Sequence, residues 1–344
     1  MRKIGMLTGG GDCPGLNAVI RGVVEKCATD DIEVFGFIDG WRGAMAGEGK
    51  WLTLDDVEGL QTKGGTILGS SRTNVMAYED GPDRVKAAMA KLGLEGLVAI
   101  GGDDTLGVGA KLMEQGFNII GVPKTIDNDL NCTDFTFGFD TAANITMDSI
   151  DKLHTTADSH HRCIVVEIMG RHTGWIAFQG GVAGDAHITV IPEFPMSLDE
   201  ICAIIEKRKA RGKAYHIIAV AEGASISGME IDESTAPRDA FGNIMLPKLA
   251  IGERLAEAVE KQTGIESRHV VLGHLQRGGP PSAFDRVLGL RMGIKAGEEV
   301  IKNAYGTMMG LAGTQIVTVS LSQAVSMRKE VDEQLYDCAK LLFR

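Results

Sequence analysis

Short runs of consecutive apolar residues recur along the chain, separated by longer stretches in which apolar positions return every three or four residues. The first pattern marks strands buried on both faces, and the second marks helices with one apolar stripe. Strands are predicted at 3–8, 32–38, 97–101, 118–123, 163–169, 187–192, 216–222, 269–275 and 314–320. Helices are predicted at 15–28, 82–92, 140–157, 197–211, 247–262 and 284–302. A strand that is apolar at every position has no solvent face, which places it in a parallel sheet covered by helices on both sides. The expected class is α/β, doubly wound. The strands divide better between two sheets than into one, with a boundary near 140 and late strands able to return to the first domain. Residues 224–245 are polar and aperiodic and read as a long surface loop, a kind of segment that is more often functional or mobile than idle.

Composition narrows the partners more than the fold. With 344 residues and 44% hydrophobic content, the chain can fill two ordinary cores. Its formal net charge of −11 argues against nucleic acid or an anionic membrane as the main partner, while leaving local basic pockets open. No apolar run approaches the roughly 20 residues of a membrane span. The N-terminal MRKIGMLTGG runs straight into a strand and a glycine turn without a leader pattern. Six cysteines (13, 27, 132, 163, 202 and 338) form no C-x-x-C pair and read as reduced thiols of a cytoplasmic protein.

Chemistry gathers where strands meet glycine. LTGGGDCPGLNAVI (7–20) is strand, glycine turn and helix, a geometry that aims backbone N–H groups at an anion. It is neither a Walker loop, since Leu16-Asn17 stands where Lys-Ser belongs, nor a dinucleotide fingerprint, since Pro14 takes the third glycine's place. GGDDT (101–105) and PKTIDND (123–129) follow two further strands, and three such turns on neighbouring strands would converge on one crevice. Asp127 and Asp129, one residue apart, would share a face if that segment is extended, with Asn128 turned away. Such a pair can divide proton transfer from the orientation of other groups. Arg162, Arg171, His274 and Arg277 stand beside strand ends, and arginine forks suit bidentate phosphate binding. His160 and His161 are not read as a metal site, and His172 and His216 read as packing or capping residues.

Taken in order, LTGGGDCPGLNAVIR, GGTILGSSR (64–72), GGDDT, PKTIDNDL, GFDTA, MGRHTGW, AEG and GHLQRGG resemble the phosphofructokinase family over nearly the whole chain. The resemblance implies two doubly wound, mainly parallel domains with the active site in the cleft between them. Residues 1–140 with about 276–326 would hold the phosphoryl donor, and 141–275 with about 327–344 the sugar phosphate. It implies Asp127 as the base for the C1 hydroxyl of fructose 6-phosphate, assisted by Thr125 and Asp129, with Asp103 binding Mg²⁺. Gly11, Arg72 and Lys124 would hold the donor. Arg162, Met169, Gly170, Arg171, Glu222, Arg268, His274 and Arg277 would surround the sugar and its 6-phosphate. In bacterial relatives the residues matching Arg162 and Arg268 come from a neighbouring subunit, so a homo-oligomer with shared sites is implied.

Asp104 bears on the donor. ATP users in the family generally have glycine there, whereas pyrophosphate users have aspartate with a lysine at the position of Lys124. Two like charges about 4 Å apart repel by roughly 4 kcal/mol at an effective dielectric of 20, about a thousandfold in affinity. The expected activity is transfer from Mg-pyrophosphate to fructose 6-phosphate, with an ATP-dependent 6-phosphofructokinase as the alternative. A non-enzymatic sugar-phosphate sensor would be expected to have lost the base. Weak or absent effector control is also implied. Arg21, Arg211 and Lys213 persist at the family's effector positions, but Glu25 and Leu54 replace basic residues, His154 an arginine and His187 an acid.

Overall fold

A computed structural model describes residues 1–229 and 250–343. The chain forms two compact units, 1–141 with 277–328 and 142–276 with 329–344. In chain order the first unit begins with β1 (Lys3–Thr8), α1 (Leu16–Ala28), β2 (Glu33–Phe37), α2 (Trp41–Ala46), β3 (Gly49–Leu52) and α3 (Leu54–Val57). It continues through α4 (Gly81–Leu92), β4 (Leu97–Gly101), α5 (Asp103–Met113) and β5 (Ile119–Pro123). After α6 (Phe139–His160) come β6 (Cys163–Ile168), α7 (Trp175–Ala183), β7 (Ile188–Val190), β8 (Met196–Ser197) and α8 (Leu198–Ala210). The second unit goes on with β9 (His216–Ala221), β10 (Ile226–Ser227), α9 (Ile251–Thr263) and β11 (Ser267–Val271). The last elements are α10 (Ala283–Ile301), β12 (Thr307–Ala312), β13 (Gln315–Ser320), α11 (Leu321–Ala324) and α12 (Glu333–Lys340).

The first unit is built on a seven-stranded sheet ordered β13-β12-β5-β4-β1-β2-β3. Its inner pairs are parallel, and only the outermost pairs, β12 with β13 and β2 with β3, are antiparallel. β1, β4 and β5 are buried along almost their entire length, as continuous apolar runs demand. Two helices of this unit, α1 and α10, meet almost backbone to backbone. A Cβ on Gly22 would stand 2.5 Å from the Leu290 carbonyl oxygen, and one on Gly293 would stand 2.3 Å from that of Val19.

The second unit carries a parallel four-stranded sheet, β11-β6-β9-β7, and the two-stranded pair β10-β8. Three expectations are corrected here. The strand expected over 269–275 spans Ser267–Val271 and is succeeded by a 3₁₀ turn, Gly273–Arg277, because the glycine at 273 takes a positive φ of 47°. It is an edge strand with Val271 exposed, so its apolar run does not report burial on both faces. The strand Thr307–Ala312 was not expected at all; its MMGLA run carries two glycine-flanked ends that mask its period. The third correction concerns the loop: Ile226–Ser227 of the loop expected over 224–245 forms β10, and 230–245 lie outside the described residues.

A ring cluster fills part of the second unit. His154, His187, Tyr215 and His216 lie within ring-centroid distances of 5.4 to 6.4 Å along the chain of contacts that joins them. His187 Nδ1 accepts from the Ile217 amide at 2.9 Å, and His216 Nδ1 accepts from Arg208 Nε at 3.3 Å, so both act as neutral acceptors. Burial first, then the Arg208 charge, holds His187 down to about 3 and His216 down to about 4. The expectation that His216 is a packing residue agrees with its burial.

Unfolding returns both imidazoles to the ordinary value of 6.5, so below that pH the unfolded chain binds more protons than the folded one. Their contribution is therefore complete above pH 6.5 and is lost as pH falls toward 4, by up to about 1.4 kcal/mol per unit for each ring. Melting temperatures measured near pH 7.5 and near pH 5 should show this loss, and His187→Gln should lessen it. An undiminished loss in the variant would remove His187 from the account.

Candidate active site

The topology of the first sheet brings the three turns together. β4 lies between β1 and β5 and runs parallel to both, so the turns that follow all three strands leave one edge. The chain passes from β1 to β2 on one side, while β4 occupies the other, which makes the β1/β4 boundary a switch point of the kind where α/β sheets bind ligands. The turns are also stitched together: the Gly9 amide donates to Ile100 O and the Lys124 amide to Gly101 O, each at 2.9 Å. Glycine is required at 9 and 101 because Thr105 packs there. A Cβ on Gly9 would lie 2.6 Å from Thr105 Oγ1, and one on Gly101 would lie 2.3 Å from Thr105 Cβ.

Asn17, which stands where a Walker loop has its serine, has a different task. Its Nδ2 donates to the carbonyls of Lys63 and Gly64 at 3.1 Å each, and its Oδ1 accepts from the Ile67 amide at 3.0 Å. With Thr8 Oγ1 donating to Gly69 O at 2.7 Å and the Gly10 amide to Ser71 O at 3.1 Å, these bonds lash the 63–71 loop to the glycine turn. Arg72 is exposed and directly follows Ser71, whose carbonyl accepts from the Gly10 amide. Sequence reasoning passed over Asn17 as a binding residue; a polar side chain at the second position of α1, set among apolar neighbours, was the available signal.

Lys124 is buried, and its Nζ donates to Gly11 O at 2.5 Å. Burial holds its pKa below the ordinary lysine value, the nearby Arg277 charge pulls it the same way, and Cys13 and Asp127 pull it back. Arg277 belongs to this first unit, with its guanidinium over the same turn: a Cβ on Gly11 would stand 1.5 Å from Nη1. Gly11 thus leaves room for an arginine that the sequence placed with the sugar phosphate.

Asp103 and Asp104 occupy the first turn of α5, after Gly102. Carboxylates there are favoured by the positive end of the helix, so two adjacent acids are tolerated without a metal or a ligand. The segment 127–129 is not extended as expected. Asn128 is buried at a left-handed φ of 51°, and its Oδ1 accepts from the Thr136 amide at 3.0 Å. This bend still keeps the flanking acids in each other's field. Burial, then the Asp127 and Asp103 charges, push Asp129 up to about 7, while Arg328 pulls it down. Thr125 Oγ1 accepts from the Asp127 amide at 3.0 Å and so fixes the backbone beneath that carboxylate.

The second unit gathers its predicted residues in the same manner. β11, β6 and β9 are adjacent and parallel, so His274, the Met169-Gly170-Arg171 segment and Glu222 follow their strands at one edge. The Glu222 amide donates to Ile168 O at 2.8 Å and that of Gly223 to Gly170 O at 3.1 Å, which seats Glu222 beside Gly170. Gln276, fully buried and also missed from the sequence, accepts from the Met169 amide at 2.8 Å while its Nε2 donates to Thr146 Oγ1 at 2.8 Å. It braces Met169 against α6. Arg162 and Arg268 are not at this edge. Arg162 precedes β6 and Arg268 is the second residue of β11, at the far end of strands on the order of 20 Å long. There Glu266 accepts from both, with Arg162 Nη2 at 2.8 Å.

The phosphofructokinase family model matches residues 3–300. A pyrophosphate–fructose 6-phosphate 1-phosphotransferase of Amycolatopsis methanolica is 50% identical over 342 residues, 99% of each chain. The ATP-dependent 6-phosphofructokinase 3 of Streptomyces coelicolor is 46% identical over 97% of this chain and 98% of its own. Phosphofructokinase from Saccharomyces cerevisiae superposes with a TM-score of 0.81 at 27% identity, over 99% of this chain, which spans 46% of the yeast chain. With both glycine-turn edges in place and the family matched over most of its length, the chain belongs to the phosphofructokinase family.

Proposed function

We propose that the chain is a pyrophosphate–fructose-6-phosphate 1-phosphotransferase, acting reversibly in glycolysis and gluconeogenesis. Relatives named for either donor match at similar identity, so the donor reading rests on residues. The observation that carries it is Asp104 in the first turn of α5. A helix N-terminus at a switch point is an anion site in most α/β sheets, and here the helix presents its own carboxylates instead. A donor with two phosphates and no α-phosphate avoids them.

In this reading Gly11, Arg72 and Lys124 hold pyrophosphate, and Arg277 reaches the same turn. Met169, Gly170, Arg171, Glu222 and His274 hold the sugar phosphate. Asp127 takes the proton of the C1 hydroxyl as that oxygen bonds to the transferred phosphorus. The bridging P–O bond breaks, and inorganic phosphate leaves with the electron pair. Thr125 steadies the Asp127 backbone and Asp129 assists as a neighbouring acid. Phosphoryl transfer needs positioning and charge neutralisation above all, and buried Lys124 with the arginines provides both.

The site fits Mg²⁺. Its acids are hard oxygen donors, and Asp129, raised first by burial, also lies in the fields of Asp127 and Asp103. Asp103 would hold the ion, which when bound would neutralise charge on the donor's phosphates. Arg162 and Arg268, stranded at the far edge of the second sheet, support a homo-oligomer in which a neighbouring copy receives them. Six free thiols are in keeping with a cytoplasmic place.

The donor assignment predicts a much higher kcat/KM with Mg-pyrophosphate than with Mg-ATP, and increased ATP use in Asp104→Gly. Steady-state rates with each donor decide it; better turnover with ATP would make the chain an ATP-dependent 6-phosphofructokinase. Asp127→Ser should lower kcat by a factor on the order of 10²–10⁴ with far smaller changes in KM. A near-normal kcat would pass the base role to another group. Effector control should be weak, because Arg21 is engaged by Glu25 at 2.6 Å and His154 and His187 lie in the ring cluster. Fructose 6-phosphate saturation with and without millimolar ADP or phosphoenolpyruvate should be hyperbolic and superimposable; a several-fold shift in half-saturation would contradict this.

A further inference from the structure

Arg328 takes no part in the functions described so far, yet it faces the acids of the first unit. Its Nη2 lies 3.7 Å from Asp103 Oδ2, with both side chains more than two-fifths exposed. That separation is charge attraction without a hydrogen bond, and an exposed pair of this kind contributes little to folding. Its backbone, however, is pinned. Arg328 forms an antiparallel bridge with Leu130, which is buried and directly follows Asp129. The segment that carries Asp127 and Asp129 therefore also anchors the guanidinium beside Asp103. The field of Arg328 reaches Asp129 as well, where it opposes the upward push of the two other carboxylates.

We propose that Arg328 is a positioning residue that keeps Asp103 from binding a bare divalent cation, so that metal enters the site only together with a phosphate-bearing ligand. This rests on the reading of Asp103 as the metal-binding acid. A dication at Asp103 meets the guanidinium charge at close range and is repelled. A metal–pyrophosphate chelate carries net negative charge, and a guanidinium is a strong partner for phosphate oxygens. The same arginine thus disfavours one and favours the other. The pair is exposed and weak, so the guanidinium can leave Asp103 once phosphate arrives. A buried, hydrogen-bonded pair could not exchange partners so readily.

The test is equilibrium binding of Mn²⁺ alone, read from the loss of its free-ion EPR signal, in the full-length protein without substrates. Wild type should bind Mn²⁺ weakly. Arg328→Met should bind it on the order of tenfold more tightly, and Arg328→Lys, which keeps the charge, should stay close to wild type. Asp103→Asn in the Arg328→Met background should abolish the gain and so locate it. A second readout is the KM for Mg-pyrophosphate, which should rise several-fold in Arg328→Met and less in Arg328→Lys. Unchanged Mn²⁺ affinity in Arg328→Met, or a gain that survives Asp103→Asn, overturns the proposal. Undiminished Mg²⁺-dependent turnover in Asp103→Asn alone would overturn the metal reading itself. Loss of that turnover with no Mn²⁺ gain in Arg328→Met would sink only the role of Arg328. Should Arg328→Met fold poorly, Arg328→Gln carries the same expectations.

Discussion

Leu97–Gly101 is hydrogen-bonded on one side to Lys3–Thr8 and on the other to Ile119–Pro123, and all three strands run the same way. Everything in the first unit's site follows from that pairing. Parallel strands deliver their following turns to a common edge, whereas antiparallel neighbours would send alternate turns to opposite edges. The cost of bringing the turns so close is met by glycine. Thr105 occupies the volume where side chains on residues 9 and 101 would stand, and Arg277 occupies it at residue 11. The second unit repeats the device with three other parallel strands, and Gln276 there does for Met169 what Asn17 does for the Arg72 loop.

Charge is distributed along the first edge with a definite sense. The carboxylates of Asp103, Asp104, Asp127 and Asp129 come from the turns after β4 and β5, while Lys124 and Arg277 lie against the turn after β1. Burial above all holds Lys124 below and Asp129 above their ordinary values, and the Asp127 and Asp103 charges add to the rise at Asp129. An anion on the glycine turn and a cation among the acids would relieve both.

Much of the fold was legible because burial on both faces writes itself into composition. The runs at 3–8, 97–101 and 118–123 are apolar through their centres, and the strands match them almost to the residue. The same signal misled at β11, an edge strand whose valines are partly exposed, and was lost at β12 among methionine and glycine. The bend at Asn128 was illegible for a local reason. Its left-handed backbone is held by the Thr136 amide, eight residues on, and no two-residue period can announce such a bond.

Residue types and their spacing along the chain were sufficient to nominate the acids, the arginines and the glycine turns, because the chemistry of phosphate and metal limits which side chains serve. Contacts between distant segments were decided only by the tertiary structure. It tied Asn17 to residues 63–67, set Arg277 over Gly11, and joined Arg328 to Leu130 beside Asp103. It also separated Arg162 and Arg268 from the other sugar-side residues by the length of a strand. A sequence specifies which groups are present and their local periodicity, but strand order sets which edge each group reaches, and strand order is a property of the whole sheet.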